Sequence, residues 1–172
     1  MPLSLKKLNQ VDEKKWENLV LTSKYSSFYH TKIWSEIWEK SFPDCEALFF
    51  ILEEQNYIAG LPLIKFRKRG FHSFFSMPFG AYGGIIGNLS EEQKIQLLRD
   101  VVQFVSEKKH LRFQIVDFFD QNKELEKLNF QQTETFTHLI NLDNSKSEIG
   151  LQKRGYEQSL KRELSVREIG SL

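Results

Sequence analysis

An α+β fold, with one mixed and mainly antiparallel sheet flanked by helices, is predicted by three features of the sequence. Apolar runs of strand length alternate with polar turns. Capped, amphipathic helical patterns lie between groups of those runs rather than after each one. A glycine-rich loop carries the chain out of a cluster of three strands and into a well-signalled helix. The predicted order is β, α, α, three strands, α, β, α, β, α.

Each element has its own justification in the residues. Residues 3–8 alternate enough for a short first strand. Asp12 suits the N-cap of a helix that sets Trp16, Leu19 and Val20 on one face. Residues 23–29 break that helix, and Thr31 can cap the next. There Ile33 and Ile37 lie one turn apart, as do Trp34 and Trp38, giving two adjacent apolar stripes. Pro43 ends the helix near Phe42. Residues 47–52 form a continuous apolar run too short for a helix, hence a buried strand, followed by a polar turn over 53–56. The chain returns as a strand over 57–66, in which Pro62 demands an edge position or a bulge. Lys65, Arg67, Lys68, Arg69 and Gly70 form a basic hairpin tip leading to a third strand over 71–77.

After the glycine loop, Ser90 and Gln93 match a capping box. Ile95, Leu98, Val102 and Val105 form the expected buried stripe of that helix, and Lys108, Lys109 and His110 complement its C-terminal dipole. Residues 111–119 read as a strand, 124–128 as a short helix and 133–142 as another strand. The final segment, 147–169, reads as a charged helix with Leu151, Tyr156, Leu160 and Leu164 as a thin apolar set.

Composition narrows the functional classes. The chain of 172 residues suits one compact domain, and fifteen phenylalanines point to a well-filled core. A net charge of +1 argues against a dedicated binder of nucleic acid, and no sequence-specific nucleic-acid contact is expected. Cys45 is the single cysteine, so no intramolecular disulfide forms, and no metal site is expected. Neither a signal-peptide core nor a membrane-length apolar run is present, and a cytoplasmic location is expected.

The most informative stretch is Ser76-Met77-Pro78-Phe79-Gly80-Ala81-Tyr82-Gly83-Gly84. Three glycines within five positions permit positive φ and close approach, and Phe79 and Tyr82 flank that open backbone with aromatic rings. A loop leaving a sheet for a helix N-terminus is a frequent ligand position, although a simple glycine-rich turn has the same spacing.

Three segments together resemble the Fem-like acyltransferases of the GNAT superfamily. Phe28-Tyr29-His30-Thr31-Lys32-Ile33-Trp34 followed by Phe42 is similar to their opening pattern. Ile58-Ala59-Gly60-Leu61-Pro62-Leu63 resembles their hairpin strand, and Ser76-Met77-Pro78-Phe79-Gly80 with Tyr82-Gly83-Gly84 resembles their loop. His138-Leu139-Ile140-Asn141-Leu142 and the basic residues around Lys161-Arg162 resemble the region joining their two halves.

The resemblance implies a GNAT-like subdomain over 1–146 and a connecting helix over 147–172 leading toward a second subdomain. It implies transfer of an acyl or aminoacyl group to an amine-bearing acceptor, in the manner of enzymes that build peptidoglycan cross-bridges from aminoacyl-tRNA. The alternative is a non-catalytic module that pairs with itself, as a homodimer, or with a separately encoded second half. The candidate substrate-binding residues are His30, Trp34, Phe79, Tyr82, Gly83, Gly84, Lys161 and Arg162. No catalytic residue is assigned. Single-domain GNAT enzymes grip the coenzyme A pyrophosphate with a Q/R-x-x-G-x-G/A loop ahead of the central helix. Residues 80–88 are glycine-rich but lack that pattern, so no bound cofactor is expected, the donor being an aminoacyl-tRNA or an acyl-CoA.

Overall fold

A computed structural model describes residues 3–78, 82–117, 128, 130–139 and 160–169; for 117, 132–139 and 160–169 it describes the backbone. The strands are β1 (Leu3–Lys7), β2 (Cys45–Glu53), β3 (Tyr57–Lys68), β4 (Phe71–Phe75), β5 (Ile86–Gly87), β6 (His110–Asp117), β7 (Gln131–Leu139) and β8 (Leu160–Ile169). The helices are α1 (Glu13–Thr22), α2 (Lys32–Ser41) and α3 (Glu91–Ser106). Among the described residues one sheet runs β1-β2-β3-β4-β6-β8-β7, with the short β5 also paired to β3. Every neighbouring pair is antiparallel except β4 and β6.

The caps are those the residue types call for. Asp12 accepts the Lys15 N–H at 3.1 Å, and Thr31 Oγ1 accepts the Trp34 N–H at 3.3 Å. Ser90 and Gln93 form the reciprocal box at the start of α3.

The sheet separates two cores. On one face α3 covers Leu61, Leu63, Phe74, Phe113 and Ile115; on the other α1 and α2 cover Phe49, Ile51 and Ile64. Trp16 is the largest piece of the second core, packed edge-on to Phe49 at 4.9 Å. At the far end of that core Lys6 and Lys15 both reach Glu53, and their hydrogen bonds hold its carboxyl below the ordinary range. Tyr57 Oη accepts the Asp12 N–H at 3.0 Å, tying the start of α1 to β3.

Three expectations are corrected. Residues 160–169, expected to be helical, form β8, inserted between β6 and β7. Leu160 and Leu164 are one helical turn apart, but Leu160, Leu164 and Val166 also fall on alternate positions of an extended chain. A ladder with β7 over 160–168 and with β6 over 165–169 favours the extended reading. Residues 147–159 of the expected helix, and 124–127 of the short one, lie outside the described residues. The buried stripe of α3 is Leu97, Leu98, Val101 and Val105; Ile95 and Val102 sit at its margins. Of the two stripes on α2 only one turns inward: Trp38 is buried, whereas Ile33 and Ile37 are exposed.

Pro62 fulfils its expectation. It pairs with Phe49 of β2 and falls between the β3 residues paired to β5 and those paired to β4, a local edge inside the sheet. No helix among the described residues is long and apolar enough to cross a membrane.

Candidate functional site

The parallel pair β4–β6 ends where the glycine loop begins. Its ladder runs to Phe75 opposite Gln114, and the Ser76 N–H still donates to the Gln114 carbonyl at 2.9 Å. Beyond that point β6 takes different partners. The Val116 N–H donates to Ser76 Oγ at 2.8 Å, and the Val116 carbonyl accepts the Gly83 N–H at 3.0 Å. Ser76 is fully buried. The chain thus leaves β4, and the buried polar groups of β6 remain satisfied by a hydroxyl and by the returning loop.

Gly83 fits this return because it has no side chain. A Cβ there would overlap the Ser76 carbonyl and Met77 Cγ. Neither Gly83 nor Gly84 has positive φ, so close approach rather than a left-handed backbone is what the loop asks of them. Gly84 receives a second tie, from His30.

His30 stands at the end of a 3₁₀ turn, Phe28–His30, and is 2 % exposed. Its Nδ1 accepts the Ser27 N–H at 3.1 Å, which leaves Nε2 to donate to the Gly84 carbonyl at 3.2 Å. Burial lowers the imidazole pKa to about 4, outweighing the opposing pull of the two backbone hydrogen bonds. His30 is therefore a neutral strut near pH 7. Its own carbonyl accepts the Trp16 Nε1–H at 2.8 Å, so the strut is anchored in the core.

An aromatic wall rises beside the loop. Tyr29 lies 5.6 Å from Tyr82 and 5.2 Å from Trp34, ring centre to ring centre, and Trp34 is 6.1 Å from Trp38. The Trp34 indole N–H is shielded from solvent and has no acceptor among the described residues.

Of the eight residues singled out by sequence, the structure gathers five: His30, Trp34, Tyr82, Gly83 and Gly84. Phe79 lies outside the described residues. Lys161 and Arg162 lie on β8, opposite His138 and Thr137 of β7. Since β8 meets β6 only from Ser165 onward, opposite Asp117, they stand past the last described residue of β6, at the end of the sheet where the loop sits.

Sequence reasoning missed Tyr29, which joins Trp34 to Tyr82, and Ser76, which replaces a ladder partner. Both stood inside the quoted motifs, but their partners lie 53 and 40 positions away. Elsewhere, Cys45 is half-buried, and burial with the nearby Glu39 and Glu46 pushes its thiol up to about 12. Lys65 of the basic run is paired with Glu46. No group of three or more potential metal ligands occurs among the described residues.

No protein-family profile and no curated protein sequence matches this chain. Solved structures do. An N-acetyltransferase from Staphylococcus aureus Mu50 superposes with a TM-score of 0.59 at 14 % identity, over 99 % of this chain and 98 % of its own. FemX superposes with a TM-score of 0.58 at 12 % identity, over 77 % of this chain and 32 % of FemX. Aminoglycoside 6′-acetyltransferase type Ii gives 0.53 at 12 % identity over 99 % and 97 % of the two chains. The chain has the fold common to FemX and the GNAT N-acetyltransferases, and it spans about a third of the length of FemX.

Proposed function

We propose that this chain is an N-acyltransferase module, moving an acyl or aminoacyl group from an activated ester or thioester to an amine. The observation that carries the reading is the end of the β4–β6 ladder, where Ser76 and Gly83 take over as partners of Val116 and the rings of Tyr29 and Tyr82 stand beside them. Acyl transfer between an amine and an activated carbonyl needs positioning and oxyanion stabilisation more than a dedicated nucleophile. A rigid backbone edge beside flat rings meets that need. Tyr29, Trp34 and Tyr82 form the acceptor side. His30 and Ser76 hold the loop.

Within this class, the resemblance of three segments to Fem-like transferases favours an aminoacyl group and a cell-envelope amine. The likeness in fold to FemX supports that choice. The test is turnover: the purified chain is offered acetyl and aminoacyl donors with a panel of amines, alongside Trp34→Phe and Tyr82→Ala variants, the first keeping a ring where Trp34 packs against the core. The reading expects transfer that falls at least tenfold in both variants while their melting points stay near that of the parent. Transfer equal in all three proteins overturns the site.

A second reading, an assembly module pairing with a copy of itself or with a separate second half, is favoured by Leu21, Phe28, Ile33 and Ile37. All four are large apolar residues exposed on or beside α1 and α2. Sedimentation across a hundredfold range of concentration tests the self-pairing form, which expects a mass that rises with concentration and an Ile33→Lys variant that stays monomeric.

A further inference from the structure

The fold's acetyltransferases imply a coenzyme A thioester whose diphosphate is received ahead of the central helix, here α3. An unoccupied helix N-terminus offers free amides and a positive dipole to such an anion. In this chain that position is already taken. Ser90 Oγ accepts the Gln93 N–H at 3.3 Å, and Gln93 Oε1 accepts the Ser90 N–H at 2.9 Å. The Glu92 carboxylate accepts the Ser90 hydroxyl at 2.8 Å. That bond, together with the residue's own amide, holds its pKa below the ordinary carboxylate range.

Glu91 adds a second negative charge to the first turn. Lys94, the cation on that turn, is paired with Glu91 at 3.3 Å. The loop before it is engaged at three positions. The Gly83 N–H is bonded to Val116, and Ile86 and Gly87 are laddered to Gly60 and Ala59 of β3. A diphosphate arriving at residues 83–93 would meet two carboxylates and a backbone already engaged at each of these points.

We infer that the anion position at the N-terminus of α3 is filled by the chain's own Glu92, and that a donor is not held there by a diphosphate. Resting on the acyl-transfer reading, this narrows the donor to an ester or thioester recognised through its acyl group and the atoms next to the carbonyl. Coenzyme A then gains nothing from its nucleotide end, and a truncated thioester serves as well.

Calorimetric titration of the full chain with coenzyme A, pantetheine and inorganic diphosphate tests the inference, beside a Glu91→Gln/Glu92→Gln variant that keeps Ser90 and Gln93. The expected result is no saturable diphosphate binding by the parent at millimolar concentration. Coenzyme A and pantetheine should behave alike within threefold, whether both bind or neither does. The double variant should bind diphosphate at least tenfold more tightly than the parent. Coenzyme A bound tenfold tighter than pantetheine by the parent, and displaced by diphosphate, overturns the inference. A double variant that still ignores diphosphate overturns the role given to Glu92. Activity is a separate readout. Transfer from none of acetyl-CoA, acetyl-pantetheine and an aminoacyl ester to any amine defeats the acyl-transfer reading and leaves the calorimetric answer standing.

Discussion

Two glycine-bearing connections leave the central strands, and they use glycine for opposite reasons. The β3–β4 hairpin turns through Arg69 (φ 51°) and Gly70 (φ 83°), and a Cβ on Gly70 would meet nothing within 4 Å. It is a conformational glycine at an exposed basic tip. Gly83 has an ordinary backbone but no room, because Ser76 and Met77 press against it. It is a packing glycine in a buried seam, and its neighbours reach both the core and the sheet. The contrast shows where a loop has been built to a shape and where it merely turns. Only the built loop suits chemistry that depends on placement.

Substitution at the seam should break this contrast most sharply. Gly83→Val inserts two methyl groups and a Cβ against the carbonyl of Ser76, whose N–H and Oγ are both bonded to β6. Its cost is on the order of 3 kcal/mol in denaturant unfolding, the upper part of the range for overpacking. A loss below 1 kcal/mol would mean that the loop can open away from β4.

Acid comes next. In the unfolded chain His30 titrates near its ordinary value of 6.5, in the fold only near 4. Between those values the unfolded state takes up a proton that the native state refuses. The contribution of neutral His30 is complete above pH 6.5, falls as pH is lowered through the window, and is gone below about 4. The shift corresponds to roughly 3 kcal/mol. His72, whose pKa is also lowered by burial and by nearby Lys65, Arg67 and Lys108, adds in the same direction. His30→Gln retains a donor toward Gly84 and should flatten most of the slope in stability between pH 6.5 and 4. An unchanged slope would place the titration elsewhere.

Smaller effects refine the picture. Ser76→Ala leaves the buried Val116 N–H without its acceptor, a cost of about 2 kcal/mol. Amide exchange at Val116 should accelerate with it; stability within 0.5 kcal/mol of the parent, on the order of experimental scatter, would show that the loop can reseat. Gly70→Ala, at the unpacked tip, should cost no more than about 1 kcal/mol, from backbone conformation alone. A larger loss would mean that the tip is packed as the seam is.

What the sequence disclosed and what it withheld divide along the same line. Asp12, Thr31 and Ser90 were legible because a cap acts within three residues of itself. The run in β2 and the conflict posed by Pro62 were legible because strand length and a missing N–H are local facts. The strand β8 was not. Its charged, thinly apolar sequence suits a helix in isolation, and its extended form comes from β6 and β7 on either side. The candidate site was half legible. Its glycines and aromatic residues stood out, whereas the strut from His30 to Gly84 spans 54 positions and the Ser76–Val116 bond spans 40. Such ties exist only once the sheet has brought distant segments together.

The central claim is that the seam, and not the tip, meets the substrate. Backbone amide NMR of the full chain titrated with S-acetyl-pantetheine tests it residue by residue. The account predicts shifts centred on Tyr82, Gly83, Gly84 and Val116, with Arg69 and Gly70 unmoved. Shifts confined to the tip, or none at the seam as the thioester saturates the protein, would contradict it.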